Sequence, residues 1–294
     1  MELRQLKYFL MAQEKLSFTE AAIVLNISQS TLSQQIKQLE IELDIQLFNR
    51  IGRQITLTEA GKEFVEFARQ SVTKANEGLL MIKDLQNLKK GTLRIGVSYG
   101  LKDFFLKALI DFSRLYPNIS IKVEYAPSHD LHKKLTDLKA DLILAYHEKT
   151  KNSHFSYVKL FSSPMVFVTS KNSDIAREKS LSLKEICELP LVIATQNYNT
   201  EHIIYKIFEK NKLKPHFAIE VNDIPTSLDL VRTGHWNSIL VNTESLDKEF
   251  ALISIKGETL IRHTHIISLK DTYETAAIKK FKEILIEKAQ IFTL

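Results

Sequence analysis

Residues 28–40 read SQSTLSQQIKQLE. Leu32, Ile36 and Leu39 fall at i, i+4 and i+7, one apolar stripe of a helix. The opposite face carries Gln29, Ser30, Ser33, Gln34 and Lys37, with no acid among them. A solvated helix face usually interleaves Glu with Lys. Amides, hydroxyls and one cation are instead the groups that pair with base edges and phosphates. Taken alone, the stretch fits a polar surface helix as well as a DNA-reading one, because short motifs match by chance. Its flanks separate the two.

Upstream, Leu3, Leu6, Phe9, Leu10 and Gln13 space out a first helix over 3–15. Ser17 and Glu20 form S-x-x-E, the pattern of a capping box, with Leu16 placed to staple onto Ala21. The second helix ends near Leu25, where Asn26 suits the left-handed conformation, and Ser28 caps the third. Two helices joined by a turn of about three residues are the helix-turn-helix plan. The small side chains of Ala21 and Ala22 let the first lie close across the second.

Downstream, NRIGRQITLT (49–58) predicts a hairpin turning at Gly52, with Arg50 and Arg53 at its tip. A basic ribbon beside a recognition helix reaches the DNA backbone or a narrow minor groove; simple solvation is the competing explanation. Thr58 caps a long helix from Glu59 to about Lys89. Phe64, Ala68, Ser71, Ala75, Gly78, Ile82 and Leu85 form its weak heptad seam. Such a helix cannot bury its stripe alone, so a second copy of the chain is the expected partner. Packing on the chain's own C-terminal domain is the alternative.

The chain has 294 residues, 44% hydrophobic and 26% charged, the balance of an ordinary soluble protein of two or three domains. Its net charge of +5 does not mark a DNA-binding segment, since residues 1–90 hold 12 Lys and Arg against 11 Asp and Glu. The case for DNA rests on local arrangement. The single cysteine, Cys187, excludes an intrachain disulfide and sits at an apolar helical position. The opening MELRQLKYFLMAQEKLSF is broken by charges too often for a signal peptide, and no stretch approaches the roughly 18 apolar residues of a membrane span. The expectation is a cytoplasmic protein with no membrane partner.

From KKGTLRIGVSYG (89–100) onward the pattern changes to strands alternating with helices over short connections, which predicts a parallel α/β architecture. Ligands in such sheets bind beyond the C-terminal ends of the strands, near helix N-termini. Ser98 and Tyr99 end the first strand, Ser128 begins a helix, and Thr195, Gln196 and Asn199 precede another. These hydroxyls and amides suit a small anion, although plain loop caps would look the same.

Residues 1–60 resemble the winged helix-turn-helix of the LysR-type transcriptional regulators. The pattern SF-x-x-AA, SQ-x-x-LS, I-x-x-LE, LF-x-R, LT-x-AG is present in order and spacing, and the remaining chain fits that family in length and layout. The resemblance implies an all-α winged helix-turn-helix over 1–58, a linker and dimerisation helix over 59–90, and an effector-binding domain over 91–294. The last would have the two-lobed α/β fold of type 2 periplasmic binding proteins, with lobe one at 91–163 plus 265–294 and lobe two at 164–264. Crossing strands would lie near Ser162–Val166 and Arg262–Ile266.

By the same resemblance, Gln29, Ser30, Ser33, Gln34 and Lys37 enter the major groove and Arg53 belongs to the wing. Ser98, Ser128 and Thr195 match positions facing the effector. The implied partners are double-stranded promoter DNA, a small-molecule effector, RNA polymerase and further copies of the chain, in a homodimer through the linker helix and a homotetramer on an inverted repeat. Gln34 and Gln38 stand where the family usually has a basic residue, which predicts a shallower salt dependence of DNA binding.

No catalytic, cofactor or metal constellation competes. The glycines of GTLRIGVSYG are wrongly spaced for a dinucleotide fingerprint, and there is no P-loop or G-x-S-x-G elbow. His129 with His132, and His263 with His265, are half-sites without completing ligands. A solute-binding protein and an enzyme on the same lobes stay open as alternatives. Salt-dependent binding to promoter DNA, or turnover of a ligand, separates them.

Overall fold

The computed structural model describes residues 1–51, 54–85, 91–147, 152–195, 199–257 and 260–291. The chain divides into two units, Met1–Gln86 and Asn87–Leu294.

In the first unit the expected helices form: α1 (Leu3–Lys15), α2 (Phe18–Leu25) and α3 (Gln29–Leu43). Ser17 Oγ accepts the Glu20 N–H at 3.3 Å and Ser28 Oγ the Thr31 N–H at 3.0 Å, satisfying donors that each helix start leaves over. Leu16, Asn26 and Asp44 take left-handed conformations that stop the three helices. Leu16 is half exposed. Strands β1 (Phe48–Ile51) and β2 (Gln54–Leu57) pair antiparallel from Phe48↔Leu57 to Ile51↔Gln54, and α4 (Glu59–Leu85) follows.

The core of this unit is aromatic. The Phe9 ring lies 5.4 Å from Phe48 and 5.3 Å from Phe64, and Phe18 meets Phe48 edge-on at 5.5 Å. Such pairs add about 0.5–1.5 kcal/mol beyond simple burial. Leu32, Ile36 and Leu39 are fully buried, so the outer face of α3 is the polar one. Phe64, Ala68 and Val72 of α4 pack into this same core. The first two belong to the seam expected to meet a partner copy; they serve their own unit because the start of α4 lies against α1. Farther along, Phe67, Leu79, Met81 and Ile82 stand exposed.

The second unit begins with β3 (Gly91–Val97), a 3-10 turn (Tyr99–Leu101), α5 (Lys102–Leu115), β4 (Ile119–Tyr125), α6 (Ser128–Thr136) and β5 (Leu142–Tyr146). Next come β6 (Phe155–Ser170), β7 (Ser180–Ser182), α7 (Leu183–Cys187), β8 (Leu191–Ala194), α8 (Asn199–Lys210), β9 (Phe217–Val221) and α9 (Ile224–Arg232). The chain closes with β10 (Ser238–Val241), α10 (Glu244–Glu249), β11 (Phe250–Lys256), β12 (Ile261–Leu269) and α11 (Ala276–Ile291).

The sheet runs β4-β3-β5-β12-β6-β11-β7, with β10 also on β6, and β8-β9 form a separate pair. It is mixed rather than parallel. β3 runs parallel to β4 and β5, but β12 is antiparallel to both β5 and β6. The 16-residue β6 serves both halves. Its pairing with β12 ends at Pro164, and pairing with β10 begins at Met165. A proline has no N–H for a ladder, so the strand changes partners where it has no donor to lose.

Helices α5 and α11 cover one face of the first half. There Phe281 packs edge-on to Phe112 at 5.1 Å and to Phe105 at 6.0 Å. Leu131 and Leu135 of α6 cover the other face, against Ile143, Ala145 and Ile267.

Candidate nucleic-acid interface and effector cleft

The outer face of α3 is as the sequence placed it. Gln29, Ser30, Gln34 and Lys37 are exposed and Ser33 is half-buried. The Ser30 hydroxyl lies 2.8 Å from the capping Ser28 hydroxyl, which also lies 2.8 Å from Thr31 Oγ1. The helix start therefore presents a fixed group of hydroxyls followed by two exposed amides and a lysine. The side chain of Arg50 and the whole of Arg53 lie outside the described residues; the Arg50 backbone pairs with Ile55 in the hairpin.

Contacts that the sequence reading missed hold the base of this hairpin. Glu40, buried on α3, accepts the Leu47 N–H at 2.8 Å and the Phe48 N–H at 3.2 Å. Thr58 Oγ1 donates to the Gln46 carbonyl at 2.7 Å and accepts the Gly61 N–H at 2.9 Å. A Cβ on Gly61 would lie 2.1 Å from the Leu47 carbonyl oxygen, so the LT-x-AG glycine is a close-approach position. A buried charge beside an apolar stripe, IKQLE, was the available signal for Glu40.

In the second unit, β3, β4 and β5 are parallel, and their C-terminal ends share one edge. Ser98 follows β3 and Ser128 opens α6 after β4. Both are buried, and their hydroxyls lie 3.0 Å apart. The Tyr99 ring is partly exposed and stacks on Tyr125 at 6.3 Å. The structure thus brings Ser98, Tyr99 and Ser128 together. Thr195 lies at the same kind of edge on the β8-β9 pair, with its N–H and hydroxyl both donated to the Val221 carbonyl at 2.6 and 3.3 Å. Gln196 lies outside the described residues, as does the side chain of Asn199, which begins α8.

Two further residues join the first edge. Tyr146 ends β5, and a Cβ on Gly100 would lie 2.9 Å from its hydroxyl, so the absence of a side chain at 100 lets Tyr146 reach the turn after Ser98. The Arg262 guanidinium sits 5.0 Å from the Tyr146 ring centre, a cation–π contact. Arg262 is fully buried. Placing a guanidinium there costs several kcal/mol before compensation, which makes the position costly to keep for packing alone. Burial pushes the Tyr146 hydroxyl far up from its usual pKa against the opposing pull of Arg262, so it stays protonated as a donor. Thr264, opposite Tyr146 in the ladder, buries an Oγ1 with no hydrogen-bond partner among the described residues. Strand alternation was the missed signal: Arg262 shares the face of Thr264 and Ile266.

Among the described residues no group of three or more His, Cys, Asp or Glu is arranged to hold a metal. His129 is largely exposed beside Asp130, and His132 Nδ1 lies 2.6 Å from the Ser128 carbonyl. Trp236 is half-buried and meets His235 edge-on. No helix among the described residues is long and apolar enough to cross a membrane.

Comparison with known proteins agrees with both units. Residues 3–62 match the family described as bacterial regulatory helix-turn-helix protein, lysR family, and residues 86–290 match the LysR substrate binding domain. The HTH-type transcriptional activator CmpR of Synechocystis is 28% identical over 300 residues, covering 99% of this chain and 98% of that protein. A full-length OxyR variant from Pseudomonas aeruginosa superposes with a TM-score of 0.69 at 19% identity, covering 100% and 99% of the two chains. CbnR in complex with its target DNA superposes at 0.56 and 21% identity, covering 98% and 100%. A capped helix-turn-helix with an exposed face of amides and hydroxyls, followed by an α/β domain, agrees with these matches. The chain belongs to the LysR family: it is a DNA-binding transcriptional regulator that senses a small molecule in its C-terminal domain, and it is not an enzyme.

Proposed function

We propose that α3 reads promoter DNA through Gln29, Ser30, Ser33, Gln34 and Lys37, with Arg50 and Arg53 of the hairpin contacting the flanking backbone or minor groove. The observation that carries this is the acid-free outer face of α3 from Gln29 to Lys37, on a helix whose other side buries Leu32, Ile36 and Leu39. CbnR, of similar fold, was solved on its target DNA. Gln29→Ala lowers affinity for the specific site by about 1–3 kcal/mol, the worth of one good side chain–base pairing. It leaves affinity for random DNA nearly unchanged. Mobility shifts against both DNAs measure this, and an equal loss on the two would move Gln29 to the backbone.

The chain works in the cytoplasm as a homodimer joined along α4, where Phe67, Leu79, Met81 and Ile82 are exposed. On an inverted-repeat promoter site two dimers form a homotetramer that acts on RNA polymerase. The effector is a small anion, bound where Ser98, Tyr99 and Ser128 meet the start of α6, with Thr195, Gln196 and Asn199 closing from the other half. The buried charge of Arg262 biases this edge toward anions.

Thermal shift titrations with inorganic phosphate and small dicarboxylates test the site. A stabilising compound should need roughly tenfold higher concentration in Ser98→Ala, as expected for one lost hydrogen bond to a charged group. An unchanged response removes Ser98 from the site.

A further inference from the structure

We infer that Glu40 is a positioning residue for DNA recognition, fixing the wing hairpin in register with α3. The inference rests on the proposal above that both elements contact DNA.

Glu40 sits between Leu39 and the end of α3, on the buried side of the helix. An ionised carboxylate there is unfavourable on two counts: it is desolvated, and it lies near the negative end of the helix dipole. Packing alone would place a methionine or leucine at this position. Its value lies in what Oε1 accepts.

Thr58 donates its N–H to the Leu47 carbonyl, so Phe48 and Leu57 form a pair without mutual hydrogen bonds. The Phe48 N–H therefore points away from β2. Glu40 takes that N–H and the one before it in a single charge-assisted pair. On the far side, the Ile55 N–H reaches the Leu16 carbonyl at 3.4 Å. The Glu40 pair is shorter than that contact and ends on a carboxylate. It also leads from the helix that presents Gln29 and Ser33, so the wing and the reading face share one rigid support. A hairpin released from Glu40 loses its register with the reading face.

The test uses the full chain and a duplex selected by the wild type from random sequence. Glu40→Met keeps the volume and removes the acceptor; Glu40→Gln keeps a neutral oxygen. Hydroxyl-radical footprints are compared at equal occupancy, with thermal unfolding as the folding control. We expect Glu40→Met to bind roughly tenfold more weakly, the size of one or two lost backbone contacts. It loses protection at the outer flanks and keeps the central protection made by α3. Glu40→Gln restores part of the flank protection, and it alone carries the comparison if the methionine variant does not fold.

Flank protection that is present in wild type and unchanged in the folded variants overturns the inference and leaves the DNA-contact proposal standing. Absence of flank protection in the wild type itself overturns the wing reading, and this inference with it.

Discussion

Gly61→Ala should lower the melting temperature of the N-terminal unit by on the order of 10 °C. In an exposed helix the same change stabilises by about 0.5–1 kcal/mol, since alanine has the better helix propensity. Here the sign reverses. The new Cβ would sit 2.1 Å from the Leu47 carbonyl oxygen and 3.0 Å from Leu57 Cδ2. The obstacle is backbone, not a flexible side-chain tip, and that carbonyl already accepts the Thr58 N–H at 3.0 Å. Helix α4 must move off the hairpin or the hydrogen bond must break. Overpacking of this kind costs about 1–3 kcal/mol, and the lost bond about 1 more. Gly78→Ala, in the same helix with nothing within 4 Å, is the internal control and should be neutral or stabilising. Helix-signal melts of the two variants decide the matter. Equal melting temperatures would show that α4 yields without strain.

Phe281→Ala should destabilise the C-terminal unit by about 3–5 kcal/mol. Phe281 is fully buried between α5 and the sheet, edge-on to Phe112 and Phe105, with Ile278 and Leu285 of its own helix in the same core. Deleting the ring removes its burial and both aromatic contacts, and it leaves a cavity that α11 closes only by shifting. Ile286, exposed on the same helix, should tolerate alanine within about 0.5 kcal/mol. Trp236 is the only tryptophan and lies in the C-terminal unit, so its fluorescence during denaturation reads this unit directly. A Phe281→Ala midpoint matching wild type would mean that the α5–α11 layer is not where this unit draws its stability. Gly61→Ala should leave the tryptophan transition in place.

The two variants also mark how far the sequence could be read. Phe281 shares an i, i+3, i+7 stripe with Ile278 and Leu285, a spacing that the sequence displays locally. The contact that makes Gly61 essential is not displayed that way, because nothing near Gly61 in the chain announces the Leu47 carbonyl. The first two residues of the α4 seam were misplaced for the same reason. Phe64 and Ala68 carry the right spacing for a partner helix, but spacing fixes which residues share a face and not what that face meets. Arg262 could have been read as inward from strand alternation alone; that Tyr146 lies under it depends on the β5–β12 register. Strand alternation with helices suggested a parallel sheet, and the antiparallel course of β12 and the long shared β6 are set by pairings between distant segments.

By itself, then, the sequence determined the helix-turn-helix, its caps and stops, the polar outer face of α3, and the change to an α/β pattern after residue 90. All of these rest on interactions within about four residues, or on periodicities of 3.6 and 2, which a chain carries locally. Only the tertiary structure decided that Glu40 and Gly61 clamp the hairpin to α3 and α4. It alone paired the Ser98 and Ser128 hydroxyls and set a buried arginine over Tyr146. Those arrangements join segments far apart in the chain, and burial settles them: each desolvated polar group must find a partner wherever the fold brings one within reach.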